Sequence, residues 1–251
     1  MQIPPEVQDI LKYYVYVFVD PDDDNPFYIG KGIGDRGPSH LTQTDLMPRG
    51  NENFSKKVEE ITERGKKPRL DILRFGLSES EALHVEAAAI DLMGIDNLTN
   101  INRGHNSDKY GRMELDDLIE STCAMPVNVD DKAIIFWING TYKKNMSSDA
   151  LYEATRGIWK VNKERAEKAE YAMAAYYGVV KQVYKIEKWD MAHPEEYKTR
   201  TYLCSRSYYN PPPIKYEFTG SVADESICKK YIGGFVGYGP QIGFTYKNVE
   251  K

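Results

Sequence analysis

Strand-like patterning begins close to the start of the chain. Tyr14-Val15-Tyr16-Val17-Phe18-Val19 is a run of β-branched and aromatic residues, and Phe27-Tyr28-Ile29-Gly30 is a second. Asp20-Pro21-Asp22-Asp23-Asp24-Asn25-Pro26 is a strong breaker between them, so the two predict a hairpin. Pro4-Pro5 opens a short helix to Leu11. After the hairpin comes a glycine-rich bend (Gly30, Gly32, Gly34, Gly37, Pro38), with a helix starting near Ser39. Helical periodicity returns from Asn53 to Arg64, stopped by Gly65, and Arg69 to Phe75 alternates as a strand. Ser78-x-x-Glu81 matches a capping box ahead of a helix from Glu79 to Met93, closed by Gly94. The order β-β-α-α-β-α predicts an α+β domain.

Asn106 to Asp131 is polar and holds Pro126, which places a first domain over 1–110, a linker over 111–130 and a second α+β domain over 131–251. The second half opens with a strand, Ala133 to Ile138, and a turn at Asn139-Gly140. Helices are expected from Ser147 to Ala154 and from Lys163 to Tyr177, the latter ended by Gly178. Val179 to Trp189 then alternates as a long strand. Pro211-Pro212-Pro213 breaks the chain before a last strand, Lys215 to Phe218.

Composition narrows the function classes. Over 251 residues, 41% hydrophobic and 28% charged content is that of a folded chain. The longest apolar run, Tyr13 to Val19, is far short of the ~20 residues that span a bilayer. Met-Gln-Ile-Pro-Pro-Glu has neither the basic start nor the apolar core of a secretory signal, so a cytoplasmic protein without membrane contact is expected. Cys123, Cys204 and Cys228 form no Cys-x-x-Cys pair and read as buried structural thiols. The histidines show no metal-helix spacing, and no P-loop or dinucleotide fingerprint points to an organic cofactor. Residues 1–110 carry 13 Lys+Arg against 19 Asp+Glu, whereas Lys143 to Lys188 holds 10 basic and 6 acidic side chains. A polyanion would approach the second half more easily.

Four features of the first half go beyond packing. Helical spacing puts Glu86 on the stripe of Ala82, Ala89, Ile90 and Met93, where a carboxylate needs a cation or several donors. Tyr28-Ile29-Gly30-Lys31-Gly32 joins a strand to a bend where backbone can approach a phosphate and Lys31 adds a point charge. Arg36-x-x-x-His40 sets a guanidinium and an imidazole on one helical face, able to address one anion. Tyr16 and Tyr28 lie on adjacent strands, within reach of each other.

Together these residues resemble the GIY-YIG nuclease family. Tyr14-Val15-Tyr16, then eleven residues, then Tyr28-Ile29-Gly30 is similar to the family's paired signature, with Tyr14 where the family usually has glycine. Lys31, Arg36 and His40 fall where the family carries its basic residues. Glu86 matches its metal-binding glutamate, and Asn100 its late asparagine, with Asn97 competing for that role. The stretch 12–104, including Phe27 to Gly32 and Asn97-Leu98-Thr99-Asn100, is most similar to the LEM-3/Ankle1 branch.

The resemblance implies hydrolysis of a DNA phosphodiester with one divalent ion, Mg²⁺ or Mn²⁺, on Glu86. Arg36 would clamp a phosphate oxygen, with Lys31 and His40 also on the nucleic acid. A phenol near pKa ~10 is a poor base, but adjacent cations favour phenolate. Lys31 and His40 would supply that bias and make Tyr16 the preferred base for the attacking water, with Tyr28 orienting it or binding phosphate; the reverse assignment stays open. The alternative is an inactive nucleic-acid-binding module on the same fold.

Fourteen of the 19 tyrosines and all three tryptophans lie after residue 130. Aromatics among basic residues can form a base-stacking platform, with Trp137, Trp159 and Trp189 the candidates, or they can fill a core. The order of elements faintly resembles PUA-like barrels, which would make the whole chain a restriction or defence nuclease with a DNA-reading second domain.

Overall fold

The computed structural model describes residues 2–39, 51–199, 214–239 and 243–250. Two compact units emerge, Met1–Arg112 and Met113–Lys251. Among the described residues, no helix is long and apolar enough to cross a membrane.

The first unit runs α1 (Pro5–Leu11), β1 (Tyr13–Val19), β2 (Pro26–Ile33), α2 (Arg36–Ser39), α3 (Glu52–Glu63), β3 (Arg69–Leu77), α4 (Glu79–Met93) and α5 (Ser107–Tyr110). Its antiparallel sheet has the order β2-β1-β3, so β1 is central and buried on both faces. The two-residue period of β1 splits it between two cores. Tyr14, Tyr16 and Phe18 pack with Phe27, Phe54 and Ile61 on the α3 face. Val15, Val17 and Val19 pack with Ile29, Ala82, Ile90 and Leu98 on the α4 face. The capping box on α4 is complete: the Ser78 hydroxyl accepts from the Glu81 amide, and the Glu81 carboxylate accepts from the Ser78 amide at 2.8 Å.

The β1–β2 turn is held by one buried carboxylate. Asp20, 1% exposed, takes Lys57 at 2.8 Å and Arg64 at 2.7 Å from α3 and its end, and accepts the Asp22 amide at 3.1 Å. These donors, the Lys57 bond above all, pull its pKa well below the usual carboxylate range.

The second unit holds α6 (Leu115–Cys123), β4 (Ala133–Trp137), α7 (Ser148–Arg156), β5 (Gly157–Trp159), α8 (Lys163–Ala166), β6 (Tyr171–Tyr176), β7 (Val179–Met191), β8 (Tyr216–Val222), α9 (Glu225–Tyr231) and β9 (Phe244–Lys247). The sheet order is β5-β8-β7-β6-β4-β9, with β4 parallel to β6 and the other pairs antiparallel. Among the described residues the sheet is open, without the closure a PUA-like barrel requires.

Several expectations are corrected here. The helix expected from Lys163 to Tyr177 ends at Ala166, and Tyr171–Tyr176 is an inner strand. Its alanines favour a helix intrinsically, but the segment pairs on both sides, and successive residues feed two cores. Ala172 and Ala174 join one, Met173 and Ala175 the other, so burial overrides propensity. The stretch expected as linker contains α6. The thiols are not uniformly buried: Cys123 is exposed and Cys228 partly so, while Cys204 lies outside the described residues. Trp189 and Trp137 are core residues, and Trp159 stacks on Phe136 with centroids 4.9 Å apart, so these rings pack the interior. Part of the basic run is also paired: Lys144 with Glu114, Lys181 with Glu120, Arg156 with Glu217, Lys163 with Glu167 and Lys188 with Asp190.

A depressed carboxylate pKa adds stability above the unfolded-state value and loses it as pH falls. Asp20→Ala is therefore expected to cost on the order of 2 kcal/mol at neutral pH. The difference from wild type, measured by urea unfolding, should shrink towards pH ~3 as Asp20 protonates in the unfolded chain.

Candidate active site

The site is built on the hairpin register. Tyr16 pairs with Gly30 and Tyr14 with Gly32, so each phenol on β1 lies over a residue without a side chain. A Cβ on Gly30 would sit 2.6 Å from Tyr16 Oη and 2.9 Å from Tyr28 Cε1, and one on Gly32 would sit 2.7 Å from Tyr14 Cζ. The glycines thus make room for rings that cross the neighbouring strand. Tyr16 and Tyr28 lie with ring centroids 6.3 Å apart. Phe54 of α3 closes against the Tyr28 ring at 5.0 Å.

The outer edge of β2, which has no strand beside it in the described sheet, is occupied by side chains. Thr99 hydrogen-bonds the Phe27 carbonyl through its amide (2.6 Å) and hydroxyl (2.8 Å). Asn100 accepts from the Ile29 amide at 3.0 Å and donates to the Ile29 carbonyl at 2.7 Å. Glu86, projecting from α4, accepts from the Lys31 amide at 2.8 Å through Oε1. Asn97, the competing asparagine, instead donates to Met93 at the end of α4. Asn51, which no motif singled out, caps α3 and donates to the Thr99 carbonyl at 2.8 Å, locking this edge from behind. Its position just before the helical run is the kind of signal that could have flagged it.

Electrostatics ties the group together. Burial pushes Glu86 above the ordinary glutamate value, offset by the Lys31 amide and by the charges of Lys31 and Arg36. Burial also raises Tyr16 and Tyr28; the carboxylate of Glu86 adds to both, and the Arg36 guanidinium opposes it in both. Arg36 is exposed at the start of α2, and its charge acts on the two phenols and the carboxylate alike.

Two expectations change. The phenols are not biased towards phenolate by Lys31. Alternation sends the Lys31 side chain to the α4 face, where its ammonium pairs with Glu79 at 2.7 Å and lies over the Tyr13 ring at 5.5 Å. Lys31 meets the site through its amide. Moreover, Tyr16 has no exposed surface, whereas Tyr28 is partly exposed. His40 lies outside the described residues.

The model of the LEM-3-like GIY-YIG domain matches residues 24–121. That similarity groups residues 24–121 with the LEM-3-like GIY-YIG domains. The match begins in the turn after β1, covers β2, Arg36, Glu86 and Asn100, and runs through most of α6. No curated protein and no solved structure matches the chain. A GIY-YIG domain implies nuclease activity with DNA as substrate, and such nucleases generally use a divalent metal. Among the described residues, no three His, Cys, Asp or Glu side chains group closely enough to hold an ion by themselves. The donor set still fits a hard cation that keeps most of its waters: one carboxylate, oriented through Oε1, with no hydrogen bond to Oε2 among the described residues.

Two outcomes follow for the GIY-YIG domain. Gly30→Ala is expected to destabilise it by about 1–3 kcal/mol, because the Tyr16 ring must shift; chemical denaturation measures this. Glu86 has a folded-state pKa above its unfolded value, so its burial favours folding below that range and opposes it once the group ionises. Glu86→Gln should therefore raise the melting temperature at neutral pH, and the gain should disappear in acid.

Proposed function

We propose that the first unit hydrolyses DNA phosphodiester bonds, with Glu86 holding a single divalent ion, Mg²⁺ or Mn²⁺. The observation that carries this reading is the convergence of Tyr16, Tyr28 and Glu86 in the field of Arg36. When bound, the metal supplies charge neutralisation at the scissile phosphate. Arg36, exposed and with a planar fork of donors, grips a nonbridging oxygen. Tyr28, the more accessible phenol, takes the proton of the attacking water. Tyr16, packed against it from the protein side, fixes its orientation. This reverses the preference drawn from sequence, since a wholly buried phenol does not meet bulk water. Burial and the Glu86 carboxylate hold the Tyr28 phenol above its ordinary pKa; the Arg36 charge opposes that shift, and a cation held by Glu86 would oppose it further. Asn100 acts on the backbone, holding β2 straight where Tyr28 and Lys31 leave it.

We assign the DNA contact to this unit. A restriction or defence role with DNA reading by the second unit gains no support from Trp137, Trp159 or Trp189, which pack the interior. Glu86→Ala is expected to abolish cleavage of linear and branched DNA in Mg²⁺ or Mn²⁺ while DNA binding by gel shift is retained. Undiminished metal-dependent cutting by that variant would refute the assignment and favour an inactive binding module.

A further inference from the structure

Tyr14 stands where the family usually has glycine, and its ring buries no less completely than that of Tyr16. Packing explains the ring, since Gly32 opposite leaves room for it. Packing does not account for the hydroxyl. It donates to the Gly34 carbonyl at 2.8 Å and accepts from the Gly37 amide at 3.0 Å. Those two groups are the ends of the turn that leads from β2 into α2, and Arg36 lies between them. One phenolic oxygen thus closes the turn across the single residue that the proposed chemistry needs to aim. α2 has only four residues, too short to fix the direction of Arg36 by its own hydrogen bonds. The other side of the turn is fastened as well: the Asp35 carboxylate accepts from the Ile3 amide at 2.6 Å, and Gln8 holds the Ile3 carbonyl at 2.8 Å.

We infer that Tyr14 is a positioning residue, its hydroxyl clamping the Gly34–Gly37 turn so that the Arg36 guanidinium points at the phosphate beside Glu86. The inference rests on the reading of Arg36 as the phosphate clamp. The outer strap from Ile3 to Asp35 serves the same turn. Tyr14 touches neither substrate nor metal in this scheme, and its effect on rate passes through Arg36.

The test is a double-substitution cycle on the full-length protein with Mg²⁺ and a DNA substrate, paired with amide hydrogen exchange at Gly37. Tyr14→Phe keeps the ring and removes only the oxygen. It is expected to lower the rate at saturating DNA by roughly 10- to 100-fold, the scale set by a small misplacement of a positioning group. KM should change little. In an Arg36→Ala background the same substitution should cost nothing further, and Gly37 exchange should speed up in Tyr14→Phe. Asp35→Ala, a variant on the surface side of the turn, should give a smaller loss that is likewise absent without Arg36. Equal losses with and without Arg36, or unchanged exchange at Gly37, would overturn the inference. If wild type and Arg36→Ala cut alike, the assignment of Arg36 fails instead, and the Gly37 exchange rate still decides whether Tyr14 holds the turn.

Discussion

The pairing of large rings with bare backbone in the first hairpin is the constraint on which the site depends. Tyr16 opposite Gly30 and Tyr14 opposite Gly32 let two phenols lie across the adjacent strand instead of standing away from it. That brings the Tyr16 ring against Tyr28 on the neighbouring strand and Tyr14 to the turn beyond it. A side chain at either glycine would lift a ring and separate groups that the hairpin otherwise holds close together. The residues with chemical potential are therefore placed by residues with none.

The second layer of organisation is the outer edge of β2. Ile29 and Lys31 direct backbone amides outward, and Asn100 and Glu86 meet them with side-chain oxygens. A carboxylate on a helix is ordinarily free to sweep several rotamers, at an entropic cost when a ligand fixes it. Here one of its oxygens is already engaged by the sheet. The other is presented in a partly buried setting, where Arg36 and Lys31 offset the cost of charge.

Much of this was legible in the sequence, and the gaps have physical causes. The hairpin, the capped helix carrying Glu86 and the order of elements follow from local patterns: a breaker between two β-branched runs, and a capping box. The side of the sheet taken by Lys31 was also legible, because Tyr28 and Gly30 alternate with Ile29 and Lys31. Charge proximity along the chain obscured it. The role of the Tyr14 hydroxyl depends on a turn 20 residues away, which no local pattern encodes. In the second unit, the alanines of β6 read as helix because their smallness answers to two covering cores, a tertiary fact. The tryptophans were ambiguous between platform and filling, and only burial separates the two.

The bonds that line the outer margin of β2 have an effect unrelated to chemistry. Thr99, Asn100 and Glu86 occupy the positions where another chain would add as a strand, so the sheet cannot extend in that direction. The opposite margin, β3, carries exposed Ile72, Leu73 and Phe75; its Leu77 end bridges to Lys12, and among the described residues no comparable side-chain bonds line the rest. Self-association through edge pairing, should the protein be concentrated or heated, would start from β3 and leave the β2 margin untouched.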